Sequence, residues 1–238
     1  MYKLVFFDTE TTGNTEKDSI VQLAYKTDDE EFNALYNPGI KIPPEASAVH
    51  HITNKMVADK KSFEDSGDLP KVKKLFEDRN TVVVAHNAPF DLMMIKNLRI
   101  EPKNFICTLR VARDLDKDGK IERYNLQYLR YYLELEVDGH AHDALGDVLV
   151  CMELFNRLKK KIIESEGLDE QDAIEKMIEI SSHPSLLRTF GFGKYIGQKI
   201  EDVAKNDPGY LDWLLKEKLK SDQIDEDWIY TLKHHLGK

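Results

Sequence analysis

The chain has 238 residues, of which 41% are hydrophobic and 32% are charged, and its formal net charge is −9. This composition is typical of a globular protein and excludes a largely disordered chain, and no apolar run is long enough to cross a bilayer. We therefore expect no membrane partner and, because no signal peptide precedes Asp8, a cytoplasmic location. The negative charge excludes nucleic-acid binding by bulk electrostatics but leaves local contacts open.

The first strand carries two acids. The apolar run Leu4-Val5-Phe6-Phe7 predicts a strand that continues through Asp8 and Glu10 into the turn Thr11-Thr12-Gly13. Because side chains alternate along a strand, both acids should lie on one face while Thr9 points to the other. Such a pair either raises its own pKa values or binds Mg²⁺ or Mn²⁺, and a solvated acidic strand end is the alternative.

The next segments alternate between strand and helix patterns, which predicts an α/β fold. Further strands are predicted over residues 19–26, 31–36, 81–85 and from 104, and helices over 68–78, 88–98, 125–133 and from about 143 to 164. The first three strands should form an antiparallel meander. Pro43-Pro44 should keep the chain extended until Val49.

Asp91 follows the buried strand 81–85 and lies near the start of the next helix. Open α/β sheets bind ligands at the carboxyl ends of their strands, so this acid is a candidate site residue. The alternative is an acid that only stabilises the helix dipole.

A histidine and two acids begin the long helix. Asp143 is the expected N-cap or first-turn acid, and Asp147 lies one turn further along, among apolar neighbours. His142 should lie on the entering loop, where a histidine beside a metal-binding acid can accept a proton. The alternative for His142 is an ordinary surface residue.

Together these segments resemble a known family of nucleases. The sequence D-T-E-T-T-G from Asp8, the sequence H-N-A-P-F-D from His86, and His142 with Asp147 five residues later resemble the three motifs of the DEDDh 3′–5′ exonucleases. The resemblance covers about residues 2–160. It implies an RNase H-like α/β fold with a mixed five-stranded sheet flanked by helices.

The resemblance also implies a role for each motif residue. Asp8, Glu10, Asp91 and Asp147 would hold two Mg²⁺ or Mn²⁺ ions, with Asp8 bridging the two, and His142 would be the general base. Four residues would contact the substrate: Thr11, Thr12, Phe90 and His50. The stretch Val49-His50-His51-Ile52 departs from the family's H-G-I sequence, because His51 stands in place of the glycine.

The C-terminal part resembles the corresponding module of exonuclease X-like proteins, on the stretches 190–197 and 207–215. We predict a nuclease domain at 1–164, a helical connector at 165–182 and a small, mainly helical module at 183–238. The connector should bury a stripe of four residues: Ala173, Ile174, Met177 and Ile178. Trp213 and Trp228 should pack in the core of the module, and stacking on single-stranded bases is the alternative.

These observations predict an exonuclease that hydrolyses DNA from single-stranded or frayed 3′ ends, in repair or turnover. RNA 3′ ends are the alternative substrate, and a non-catalytic nucleic-acid-binding module is the alternative class of protein. Cys107 and Cys151 lack C-x-x-C spacing and should be buried free thiols. The oligomeric state stays open.

Overall fold

One mixed sheet of five strands forms the centre of the nuclease part. The structure is a computed structural model that describes residues 2–137, 143–221 and 225–238. The strands are β1 (Lys3–Thr11), β2 (Ile20–Lys26), β3 (Glu31–Leu35), β4 (Thr81–Ala85) and β5 (Asn104–Cys107), in the order β3-β2-β1-β4-β5. As predicted, β1, β2 and β3 form an antiparallel meander, whereas β4 and β5 run parallel to β1.

Helices cover both faces of this sheet. Those that precede the long helix are α1 (Pro44–His50), α2 (Asn54–Val57), α3 (Asp68–Phe76), α4 (Ala88–Lys96), α5 (Thr108–Leu115) and α6 (Leu126–Tyr132). The long helix α7 (Ala144–Glu166) and α8 (Glu170–Ser181) follow. Among the described helices, none has both the length and the apolar composition needed to cross a membrane.

Alternation along β1 decides which helix each of its side chains meets. Phe6 packs edge-on against Phe155 of α7, with ring centroids 5.2 Å apart, whereas Phe7 packs against Phe76 of α3 at 5.0 Å. Continuing this alternation, residues 8 and 10 lie on the face of α7, and residue 9 lies on the face of α3 and α4. The strand therefore delivers its two acids to the start of α7.

The expectation that Pro43-Pro44 keeps the chain extended until Val49 is wrong. Pro43 is extended, but Pro44 is the first residue of α1, which continues to His50. A proline fits the first turn of a helix because its missing N–H would have no partner there, and its fixed φ suits the helix. Only the residue before a proline is pushed into the extended region.

Helix α8 packs against α5, α7 and β5. Its residues Ala173, Ile174 and Met177 are buried, as predicted, and belong to the same apolar cluster as β1 and α7. The fourth residue of the predicted stripe, Ile178, is only partly buried and packs against this cluster. Helix α7 continues to Glu166, two residues past the predicted boundary at 164. The division into 1–164, 165–182 and 183–238 stays a prediction.

The C-terminal module is mainly helical, as predicted. It contains a short 3₁₀ turn (Gly193–Tyr195) and the helices α9 (Ile200–Asn206), α10 (Pro208–Lys220) and α11 (Glu226–Leu236). Trp228 is buried beside Phe190 in the core of the module, as expected. The prediction for Trp213 is wrong, because this residue is 53% exposed. Its neighbours in α10, Leu211 and Leu214, are the ones that face the core.

An ion-pair cluster joins the module to the nuclease part. Arg110 of α5 is buried and donates to the Ser181 carbonyl oxygen at 2.8 Å and to the Glu226 carboxylate at 2.6 Å. Asp227 lies 3.4 Å from the Arg110 Nε and also pairs with Arg113. The first turn of α11 is thus held against α5 and the end of α8.

Candidate active site

Three carboxylates converge where β1 ends and α7 begins. One oxygen from each of Asp8, Glu10 and Asp147 lies within 4.8 Å of the others. Asp8 and Glu10 come from the same face of β1, as predicted, and Asp147 comes from the first turn of α7. Carboxylate oxygens grouped this closely match the donor set that hard divalent cations prefer, so the residues present fit a Mg²⁺ or Mn²⁺ site.

The acids of this cluster resist ionisation. Burial raises the pKa of Asp8 well above its usual range, and repulsion from Asp91, Glu10 and Asp147 adds to the effect. Burial, followed by repulsion from Asp147 and Asp91, raises the pKa of Glu10 to about 8. Without a cation the cluster therefore retains protons near neutral pH, and a divalent cation would displace them.

Asp91 reaches the cluster from the opposite face of the sheet. It is buried in the first turn of α4, and its Oδ1 accepts hydrogen bonds from Thr9 N at 3.0 Å and from Thr9 Oγ1 at 2.7 Å. Burial raises the pKa of Asp91 to about 7, although the two Thr9 bonds favour its charged form. The residue between the two acids of β1 thus fixes the third acid predicted from the sequence.

The start of α7 is tied to the sheet by Gln22. Asp143 caps the helix through a contact with Gly146 N, and Gln22 Nε2 donates to Asp143 Oδ1 at 2.9 Å. Gln22 Oε1 accepts from Ala144 N at 3.3 Å. The predicted general base, His142, lies outside the described residues, immediately before this cap.

Side-chain hydrogen bonds stabilise the turn that follows β1. Thr11 and Thr12 are both buried, and their hydroxyl groups bond to the Gly13 carbonyl oxygen and to Asp18. A Cβ at position 13 would come within 2.5 Å of the Asp18 carboxylate, so any other residue there would displace Asp18 from its bond to Thr12. The backbone of this turn therefore has a fixed shape beside the carboxylates.

His50 lies beside the same region but is buried. Its Nδ1 accepts a hydrogen bond from Ile52 N at 3.0 Å, and its buried Nε2 has no partner among the described residues. Burial lowers the pKa of His50, so the neutral ring is favoured. Phe90 is partly buried and packs into the apolar cluster under α3 and α4.

Sequence reasoning missed three residues that hold the acids: Thr9, Gln22 and Gln127. Thr9 was expected only to point away from the acids. Gln22 lies on β2 directly opposite Glu10 in the sheet, and Gln127 Nε2 donates to Asp147 Oδ1 at 2.6 Å. The one signal available for Gln127 was its position in the first turn of a helix, after the N-cap Asn125.

Both parts of the chain resemble known proteins. Residues 5–155 match the family described as Exonuclease, and residues 190–218 match the family described as Exodeoxyribonuclease X-like C-terminal. Exodeoxyribonuclease 10 of Escherichia coli (strain K12) is 36% identical over 203 residues, which cover 85% of this chain and 83% of that protein.

Two further similarities concern the nuclease part. The DNA polymerase III subunit epsilon of Treponema pallidum (strain Nichols) is 35% identical over 64% of this chain and 74% of that protein. The solved structure of exonuclease X in complex with 5′ overhanging duplex DNA is 29% identical, has a TM-score of 0.56, and covers 75% of this chain and 99% of that one.

Proposed function

This chain belongs to the exonuclease family, and on that premise we propose that it is a metal-dependent 3′–5′ exodeoxyribonuclease. It releases nucleoside monophosphates from DNA 3′ ends, in DNA repair or turnover. The observation that carries the proposal is the convergence of the Asp8, Glu10 and Asp147 carboxylates within 4.8 Å, in a chain of this family.

The cofactor in this proposal is a pair of Mg²⁺ or Mn²⁺ ions held by Asp8, Glu10, Asp91 and Asp147. The raised pKa values of Asp8 and Glu10 support it, because a buried acid cluster without a cation is electrostatically unfavourable. When bound, two such ions stabilise the charge that develops on the attacking and leaving oxygens during phosphodiester hydrolysis.

The protein itself supplies a base and a surface for the 3′ end. In this proposal His142 accepts the proton of the attacking water, a role supported by its place immediately before the N-cap of α7. Thr11 and Thr12 present backbone groups to the terminal nucleotide, and the side-chain bonds that stiffen this turn fit that role. Phe90 and His50 complete the substrate contacts, with neutral His50 offering its Nε2–H as a donor.

The substrate in this proposal is a single-stranded or frayed DNA 3′ end. Exodeoxyribonuclease 10 and the exonuclease X structure with DNA support this choice over RNA. The C-terminal module contributes to substrate engagement, which the exposed Trp213 supports. Cys107 and Cys151 are buried free thiols, as predicted, which fits a reducing compartment such as the cytoplasm.

The test compares hydrolysis of matched DNA and RNA oligonucleotides, each labelled internally and at the 3′ end, with Mg²⁺ and with EDTA. We expect Mg²⁺-dependent release of labelled mononucleotide from the 3′ end of DNA, faster than from RNA. Faster release from RNA would make the protein an exoribonuclease. No release from either polymer would leave a nucleic-acid-binding module and refute the proposal.

A further inference from the structure

The side chain of Gln127 contacts one of the proposed metal ligands. Gln127 lies in the first turn of α6, and its Nε2 donates a hydrogen bond of 2.6 Å to Oδ1 of Asp147. We propose that Gln127 is a positioning residue, which turns the Asp147 carboxylate so that its other oxygen faces Asp8 and Glu10. The inference rests on the proposed function, because it takes Asp147 to be a metal ligand.

A carboxylate at this position needs such a partner. The backbone of Asp147 is fixed, since its N–H donates to the Asp143 carbonyl oxygen at 2.9 Å within a capped helix. Rotation of a carboxylate about its last bond is only weakly restricted by the torsion itself. A charge-assisted hydrogen bond to one oxygen restricts this rotation, and contacts of this kind commonly orient metal-binding side chains.

Hydrogen bonds from His86 hold the loop that leads into the helix of Gln127. His86, which directly follows β4, contacts the Tyr124 carbonyl oxygen through Nε2 at 2.7 Å and the Thr108 hydroxyl through Nδ1 at 2.9 Å. Burial lowers the pKa of His86 to about 4, so the ring is neutral. A carbonyl oxygen can only accept, so Nε2 carries the proton and Nδ1 accepts from Thr108.

Two further bonds fix the start of α6. Asn125 caps the helix by accepting from Tyr128 N at 2.8 Å. The Tyr124 hydroxyl donates to Asp116 at 2.7 Å. Hydrogen bonds thus hold the loop before α6 to the end of β4, and a separate hydrogen bond joins the first turn of α6 to the Asp147 carboxylate.

The cost of burying the Gln127 amide indicates that this side chain does more than pack in the interior. Its Oε1 is buried and has no hydrogen-bond partner among the described residues. A buried polar atom without a partner costs about 1–3 kcal/mol of stability. A methionine of similar shape would avoid that cost, so what glutamine adds is the N–H directed at Asp147.

The test replaces Gln127 by methionine and measures Mn²⁺ binding by isothermal titration calorimetry, together with the melting temperature in EDTA. We expect Mn²⁺ affinity to fall about 10–100-fold, as is usual when the partner of a metal ligand is lost. The melting temperature should change by less than about 4 °C, because loss of the bond to Asp147 is offset by removal of the unpaired oxygen. Gln127→Leu serves as a second variant with a different shape.

Gln171→Met is the matched control, because this glutamine lies on α8, outside the site, and its side chain donates to Glu175 at the surface. Mn²⁺ affinity of Gln127→Met within twofold of wild type would overturn the inference. A fall in melting temperature of more than about 8 °C would also overturn it, because Gln127 would then be a structural residue. If Asp147→Asn also binds Mn²⁺ normally, the proposed metal site fails instead.

Discussion

Glu10→Gln should stabilise the metal-free protein while it destroys metal binding. The structure buries Glu10 among acids and raises its pKa from 4.5 to about 8. Between these two pH values the unfolded chain releases the proton and the folded protein retains it, so wild-type stability falls as pH rises. Each pH unit above 4.5 contributes about 1.4 kcal/mol, which gives about 3 kcal/mol at pH 7.

A neutral glutamine of the same shape carries no such penalty. We therefore expect Glu10→Gln to unfold at a temperature about 6–12 °C higher than wild type at pH 7 in EDTA. The difference should shrink towards zero as pH approaches 4.5 and reach its full size above pH 8. Urea unfolding at pH 5, 6, 7 and 8 measures this dependence directly.

Added Mn²⁺ should reverse the order of stability. A cation at 1,000 times its Kd stabilises the folded wild type by about 4.1 kcal/mol, which exceeds the difference of about 3 kcal/mol at pH 7, whereas the variant has lost a ligand. Glu64→Gln, on the exposed surface, controls for the change of residue type. Equal stability of wild type and Glu10→Gln at pH 7, or a difference that does not vary with pH, would refute this account of the acid cluster.

Three further predictions concern the acid cluster with its proposed base, the ion pair between the module and the nuclease part, and the exposed Trp213. Asp8→Ala should abolish Mn²⁺ binding and nearly all hydrolysis, whereas His142→Ala should lower kcat about 10²–10⁴-fold and keep Mn²⁺ binding in calorimetry. Arg110→Met leaves buried Asp227 without one of its partners and should lower the free energy of unfolding by about 3 kcal/mol, measured with urea. Trp213→Ala should raise KM for single-stranded DNA about fivefold or more in steady-state assays.

The predictions for Arg110 and Trp213 have matched controls. Lys216→Met breaks a surface pair with Asp212 and should cost less than about 1 kcal/mol. Trp228→Ala should lower the melting temperature because Trp228 is in the module core, whereas Trp213→Ala should not. Mn²⁺ bound normally by Asp8→Ala, an Arg110→Met variant as stable as wild type, or an unchanged KM for Trp213→Ala would contradict the corresponding prediction.

Local patterns in the sequence were sufficient for the elements that carry the acids. Alternation along β1 placed Asp8 and Glu10 on one face, because the period of a strand is a property of its backbone. The apolar run at 81–85 and the proline after it predicted β4 and the start of α4, which carries Asp91. Pro44 shows the limit of local reasoning, since proline suits both an extended segment and a first helical turn.

The sequence by itself determined which residue types form the site and on which elements they lie, because periodicity, capping and turn chemistry act within a few residues. Only the tertiary structure decided which hydrogen bonds hold those residues. Thr9 donates to Asp91, 82 positions away, and Gln127 donates to Asp147, 20 positions away. It also decided that Arg110 meets Asp227 and that Trp213 faces solvent. Such contacts depend on how the helices pack on the sheet, and no local pattern carries that information.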